Sequence, residues 1–423
     1  MEQTAQNRIY SAQTKGPLRW REQRWLIDQT IRSASIEWDQ PRLGYTLGPV
    51  VGEQSASDIA TLRAAIHKVA DFVPAVSSVA ARHERLARQA EDEGHGVTAG
   101  EHWHAAAMLW SMAVWPLWEI TPELFMLDER KNNAYLAWAK HASHHVERVD
   151  VPFGDTTLPA WFHVPSSYDG TPLPTILACG GMDGAREIVV AREGDAFLAR
   201  GFAVLAFDGP GQGESPIHGL SVTPTNWIDA GEALVSWCRS RPEVDAERLV
   251  CTGTSFGSFW ITQIAATQPM LKGCAAALPV FEPGARTIFE EASPTFKARH
   301  MFMAGLYHDE AAFDRMVKGY DLRPLIGGLT MPWMVLGGEA DELSPVQWVY
   351  EMARLCPAPS TLVVYQGARH ALTESLATVL GPLWRATIAD WLLDRVNGLP
   401  TQDEFQYITA TGSREQRLHP HQT

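Results

Sequence analysis

The chain has 423 residues, 45% hydrophobic and 20% charged, with ordinary amounts of glycine and proline. That composition builds an ample core and does not read as disordered. The net charge is -14, from 35 basic and 49 acidic residues, and no basic cluster offsets it, which argues against nucleic acid and anionic membranes as partners.

The length predicts one large domain with a smaller one beside it. The opening "MEQTAQNRIYSAQTKG" lacks the apolar stretch of a secretory signal. The longest apolar run, residues 105–117, is broken by Ser111 and Pro116 and falls short of the ~20 residues a membrane helix needs. The expectation is a soluble, cytoplasmic protein.

Residues 1–145 form a helical region. "LRWREQRWLIDQTIRSA" places Leu18, Trp25, Leu26 and Ile31 on one helical face. "SASDIATLRAAIHKVADFV" carries a capping signal at Ser57 or Asp58. Thr98 and Glu101 have the spacing of a capping box ahead of "HWHAAAMLWSMAVW". That helix is apolar on nearly every side, so it should be buried or lie against another domain. Pro122 and Glu123 start one more helix, running to about Ala142.

From Val146 the pattern changes. "HHVERVDVPFG" and "LPAWFHVPSS" read as antiparallel strands. Then "PTILACGG", "FAVLAFDGPG", "RLVCTGTS", "GCAAALPV", "PWMVLGGEAD" and "STLVVYQGARH" read as strands. Helical segments at 186–200, 226–240, 256–268, 345–356 and 376–395 lie among them. Short apolar strands alternating with helices predict a mostly parallel sheet covered on both faces, an α/β fold over residues 146–400. Residues 281–325 are too long for a simple connection and add a helical, lid-like insertion. Residues 401–423 are polar and are expected to be a flexible tail.

The stretch "VCTGTSFGSFW" puts Ser255 between Gly253 and Gly257, where a strand gives way to a helix. A nucleophile elbow needs this arrangement: a sharp turn that lifts a hydroxyl above the sheet, with glycines where neighbouring chain leaves no room. The Phe256 N–H, at a helix start, is placed to bind an oxyanion. A serine needs a base, and the base an orienting acid. His370 ends the last of these strands. Asp341 follows "MVLGGEA", with Glu339 as its rival. A second oxyanion donor is expected after "TILACGG", from Met182 or Gly181. "FDGPGQGES" has neither dinucleotide nor Walker spacing and reads as a structural loop. The five cysteines, Cys179, Cys238, Cys251, Cys274 and Cys356, are scattered. Neither they nor the histidines show metal-ligand spacing, so they read as buried thiols and no metal is expected.

With "GGMDGARE", "FDGPGQGES", "GTSFGS", "GGEADELSP" and "GARHA" in place, the chain resembles an α/β-hydrolase. More narrowly, it is similar to the esterase FrsA-like group, which takes in 2,6-dihydropseudooxynicotine hydrolase and the fungal polyketide-shortening hydrolases. The likeness covers about residues 146–397 by motif, and the N-terminal helices by layout alone. It implies a Ser-Asp-His hydrolase without metal or organic cofactor, often a homodimer, in a group that cleaves C–C bonds beside carbonyls as well as esters. The helical region would then roof the site as a lid. Trp103 and Trp110, with His102 and His104, are candidates to line an aromatic substrate pocket. Glu282 and Glu290 are candidates to orient substrate or water. Three functions remain open: a hydrolase of a medium-sized aromatic or polyketide-like carbonyl compound, a plain carboxylesterase, and a ligand-binding protein that kept the fold but lost turnover.

Overall fold

The computed structural model describes residues 16–51, 54–191 and 195–422. The reading of the first residues as lacking a leader falls almost wholly outside them. Among the described residues six helices come first: α1 (Leu18–Ala34), α2 (Arg42–Val51), α3 (Gln54–Ala65), α4 (Phe72–Asp92), α5 (Gly96–Val114) and α6 (Pro122–Ala139). The apolar helix α5 is buried along most of its length between α4 and α6, as its all-round hydrophobicity demands.

Several details of this region differ from the sequence reading. On α1 the buried face is Trp20, Ile27 and Ile31, whereas Leu18, Trp25 and Leu26 are exposed. Helix α3 begins before Ser57, so Asp58 is no cap. It lies buried and binds Arg82 and His83 across to α4. Helix α5 begins at Gly96, which places Thr98 inside it rather than at its cap. Helix α6 does start at Pro122, and Thr121 accepts from the Leu124 N–H at 3.2 Å.

The rest of the chain builds one ten-stranded sheet in the order β1-β2-β4-β3-β5-β6-β7-β8-β9-β10. Strands β1 (His145–Phe153) and β2 (Thr156–Val164) form an antiparallel hairpin at one edge. Strands β3 (Leu173–Cys179), β4 (Ala203–Phe207), β5 (Val244–Thr254), β6 (Cys274–Ala277), β7 (Trp333–Gly338) and β8 (Ser360–Tyr365) run parallel through the centre. Apart from the first half of β5 they are almost wholly buried, which is why they read as continuous apolar runs. Helices α7 (Asn226–Arg239), α8 (Phe256–Thr267), α9 (Pro294–Met303), α10 (Glu310–Met316), α11 (Gln347–Leu355) and α12 (Trp384–Val396) complete the layers. Helices α9 and α10 lie in the 281–325 insertion.

Two expectations about this half are corrected. Residues 186–200 form only short 3-10 turns at Arg186–Ile188 and Leu198–Arg200; residues 192–194 lie outside the described chain. The expected tail is no tail. Strand β9 (Glu404–Ile408) pairs parallel with β8, and β10 (Arg414–Arg417) folds back antiparallel on β9. Its polar composition misled because an edge hairpin buries little: Phe405, Tyr407 and Ile408 are buried while all of β10 is exposed.

Buried charge ties the helical region to the sheet. Arg186 is fully buried and reaches Asp208 at 2.6 Å, Glu214 at 2.6 Å and Asn132 of α6 at 2.8 Å. Lys131 pairs with Asp128 at 2.7 Å beside it. A buried guanidinium must satisfy its donors this way, because an unpaired one would carry its full desolvation cost.

Candidate active site

Ser255 follows β5 with φ 56° and ψ -127°, a left-handed backbone that costs a serine of order 1–3 kcal/mol and persists only where packing enforces it. Close approach supplies that packing. A Cβ at Gly253 would run into the Gly257 carbonyl, and one at Gly257 into the Gly180 carbonyl. A Cβ at Gly181 would lie 2.6 Å from that of Ser255. The turn therefore tolerates no side chain at these positions.

His370 stands in the loop after β8. Its Nε2 lies 2.8 Å from Ser255 Oγ, and its Nδ1 lies 2.8 Å from Asp341 Oδ2. Asp341 is fixed by its other oxygen, which accepts from the Leu343 and Ser344 N–H groups, both at 2.9 Å. Burial pulls the His370 pKa down most strongly, but the Asp341 charge and hydrogen bond, with Glu342 and Asp183, outweigh it and leave the imidazole above its ordinary value. Glu339 is occupied elsewhere. It accepts from the Tyr407 hydroxyl at 2.7 Å and the Gly367 N–H at 3.0 Å, so it anchors β9.

The loop after β3 lies against the elbow. Gln212, from "FDGPGQGES", donates to the Gly180 oxygen at 2.7 Å and the Gly181 oxygen at 2.8 Å. The same loop brings Asp208 to Arg186. The stretch is structural, as read, and its structural task is to hold this loop. Among the described residues, neither the Phe256 N–H nor the Met182 N–H donates to a protein acceptor. The Met182 carbonyl faces Arg299 Nε at 3.5 Å. Burial brings the Arg299 guanidinium down to about 10.

A cavity of about 140 Å³ opens over these groups. Ser255, His370, Gly181 and Met182 line it together with apolar side chains that include Ile188, Leu278, Ile288, Phe296 and Trp384. A dry cavity of about 150 Å³ accepts benzene, so this space suits a group the size of one ring. The helical region sends Gln40 and Tyr45 into the wall. Asp183 also lines it, held by Arg42 at 2.8 Å and by Trp115 Nε1 at 3.1 Å. Sequence reasoning missed Gln40 and Tyr45, which belong to no motif. Asp183 had a signal, since it follows Met182 directly in "GGMDG".

The six candidate substrate residues lie outside this cavity. Trp103, Trp110, His102, His104, Glu282 and Glu290 are not among the cavity residues. The indoles serve packing between helices: Trp103 donates to Glu91 at 2.9 Å and Trp110 to Glu84 at 2.7 Å. His102 faces His83 at 3.0 Å, and His104 packs on Trp138. Glu282 accepts from the Thr287 N–H at 2.6 Å, and Glu290 pairs with Lys297 at 2.9 Å. The five cysteines are buried and free. Away from the cavity, Asp403, His419 and His421 bring three potential metal-ligand atoms within 4.8 Å of one another, a grouping that chain spacing concealed. Among the described residues no helix is long and apolar enough to cross a membrane.

The chain is similar to several known proteins. It is 28% identical over 229 residues to "Alpha/beta hydrolase ucsC" of Acremonium sp, covering 48% of this chain and 46% of that one. It is 24% identical over 325 residues to 2,6-dihydropseudooxynicotine hydrolase of Paenarthrobacter nicotinovorans, covering 75% and 82%. The chain spans about half the length of the first curated relatives it matches, at 46%, 56% and 45%. The crystal structure titled 2,6-dihydroxy-pseudo-oxynicotine hydrolase superposes with a TM-score of 0.71 at 23% identity, covering 86% of this chain and 98% of that one. That likeness carries the α/β-hydrolase fold. The model of the esterase FrsA-like family matches residues 75–319, more than half of the chain, and the protein belongs to that family.

Proposed function

We propose that this protein is a serine hydrolase acting on a medium-sized carbonyl compound with a ring-sized group, and that it cleaves a C–C bond beside a ketone or an ester bond. The observation that supports this is the array Asp341–His370–Ser255, with 2.8 Å at each contact, whose Ser255 and His370 line a largely apolar cavity. Ser255 Oγ attacks the carbonyl carbon while His370 Nε2 takes its proton. Asp341 keeps the Nδ1–H tautomer and stabilises the imidazolium. The Phe256 and Met182 N–H groups, with Gly181 as alternative to Met182, receive the oxyanion. The leaving group departs with the bonding pair and takes the proton from His370. Water, deprotonated by the same imidazole, then frees the acid from Ser255.

The cavity's size and apolar walls favour a selective hydrolase over a general esterase. The helices of residues 1–145 and the 281–325 insertion act as its roof, through Gln40, Tyr45, Ile288 and Phe296. A fluorophosphonate probe tests the reading directly. It should label Ser255 by mass, and the Ser255→Ala protein should stay unlabelled. A folded wild-type protein that resists the probe would favour the ligand-binding alternative.

A further inference from the structure

Tyr45 belongs to α2 and to no motif, yet its side chain lines the same cavity as Ser255 and His370. Its hydroxyl oxygen accepts from Arg42 at 2.8 Å. A guanidinium has only donors to offer. The hydroxyl must therefore be the acceptor in that bond, and its own proton is left for a different partner. Among the described residues Tyr45 has no second hydrogen-bond partner, so the proton is available to whatever occupies the cavity.

Arg42 cannot swing away to release the phenol. It is held by Asp39 at 3.0 Å and Asp183 at 2.8 Å, and its guanidinium lies 3.8 Å from the centre of the Trp115 ring. Asp39 is fixed in turn by the Thr295 hydroxyl of α9 at 2.7 Å. Parts of the helical region, the loop after β3 and the insertion thus converge to hold one phenol. Burial, with the Asp183, Asp39 and Glu37 charges, pushes its pKa up against the opposing pull of Arg42. The group is a neutral donor at working pH. The hydrogen bond from a cation also polarises the O–H and strengthens its donation.

We propose that Tyr45 is a further catalytic residue, which donates its hydroxyl hydrogen bond to the leaving-group side of the substrate. This rests on the reading of Ser255 as nucleophile. The Ser255 Oγ–carbon bond forms and the scissile bond breaks. The electron pair moves onto the leaving group, as an alkoxide from an ester or an enolate from a 1,3-diketone. The oxygen that gains this charge accepts from Tyr45. His370 returns the proton taken from Ser255, to oxygen or to carbon, and Tyr45 keeps its own.

The test uses esters of one aromatic acid whose alcohols range from p-nitrophenol to simple alkanols, hydrolysed by wild type and by Tyr45→Phe. Nitrophenolate leaves with little help, whereas an alkoxide needs a donor. The loss in kcat for Tyr45→Phe should rise from under about 3-fold on the p-nitrophenyl ester to about 100-fold on the alkyl esters, the worth of one well-placed donor, with KM little changed. An equal loss along the series, or none, overturns the proposal. In either case, continued labelling of Ser255 and turnover of the p-nitrophenyl ester leave the serine reading standing. Failure of wild type both to label and to hydrolyse any ester overturns the two together.

Discussion

The sheet and the helical region meet at one cavity and contribute to it in opposite ways. On the sheet side, Ser255, His370, Asp341 and the loop at Gly181 follow strand ends; approaches too close for any side chain hold the elbow against the Gly181 loop, and backbone N–H groups fix Asp341. On the helical side, among the described residues, Gln40 and Tyr45 reach the cavity; they come from the first half of the region, at a short helix and just before it. The conspicuous aromatics of α5 lie in the packing behind them. Backbone-built chemistry leaves fixed spacings in the sequence. Chemistry delivered by side-chain networks across elements does not.

If that contrast holds, the largest losses lie on the sheet side. Ser255→Ala should lower kcat by about 10⁶-fold while the melting temperature stays close to wild type, because the triad acts as a unit. Residual turnover within tenfold of wild type would remove the serine mechanism.

Asp341→Asn comes next, with about a 10⁴-fold loss expected from the wrong imidazole tautomer, while Glu339→Gln should leave kcat within a few-fold and loosen β9 instead. The pH profile sharpens this test. His370 must be neutral to take the proton, so activity is present above its pKa and lost as pH falls through it. That pKa is raised above the ordinary 6.5, so the acid limb of kcat/KM should lie above 6.5. Removing the Asp341 charge should move the limb acidward. A limb at or below 6.5 in wild type would contradict the balance of burial against Asp341, Glu342 and Asp183. For folding, the linkage runs the other way: the raised pKa stabilises the native state below 6.5, and that contribution fades as pH rises through the native value.

Legibility followed the same contrast. Ser255, Asp341 and His370 were legible as a group because each lies just beyond a parallel strand, and the parallel centre was readable because strands buried on both faces are apolar throughout. Strand β9, next to the edge, was not, since Glu404, Gln406 and the polar run of β10 look like a loop. Helix 376–395 was read whole, yet Gly381 and Pro382 divide it into Leu376–Leu380 and α12; proline lacks the N–H that continuation needs. The face of α1 was misjudged because Trp20, not Trp25, meets Trp118, with ring centres 4.9 Å apart, a contact that no local periodicity announces.

A helical-side change of intermediate size is Arg42→Met. It strips the shared cation from Asp39 and Asp183, whose side chains are 2% and 15% exposed. Leaving buried carboxylates unpaired costs about 3–5 kcal/mol, so thermal unfolding should shift clearly downward. Because Asp183 adjoins Met182, kcat should also fall, by up to about 100-fold, the scale of an ångström of misplacement. A stable protein with unchanged kcat would show that the network does not position the cavity wall.

The smallest expected effect separates lining from backing. Trp110 donates to Glu84, carries Arg130 over its ring at 5.0 Å and is 3% exposed, all within the helical layer. Phe296 sits on α9 with its side chain in the cavity wall. Both are buried aromatics, so truncating either should cost stability, about 3–5 kcal/mol for alanine. They should differ in selectivity. Phe296→Ala enlarges the space beside Ser255 and should change the kcat/KM ratio between a ring-bearing ester and its acetyl analogue by about tenfold, the worth of a lost apolar contact in a pocket. Trp110→Ala should lower both rates by one common factor, because fewer molecules are folded while the cavity keeps its shape. Measuring the two ratios well below each variant's melting temperature decides the matter. A ratio that moves for Trp110→Ala and holds for Phe296→Ala would place the specificity wall back in α5 and reverse the division of labour between the two regions.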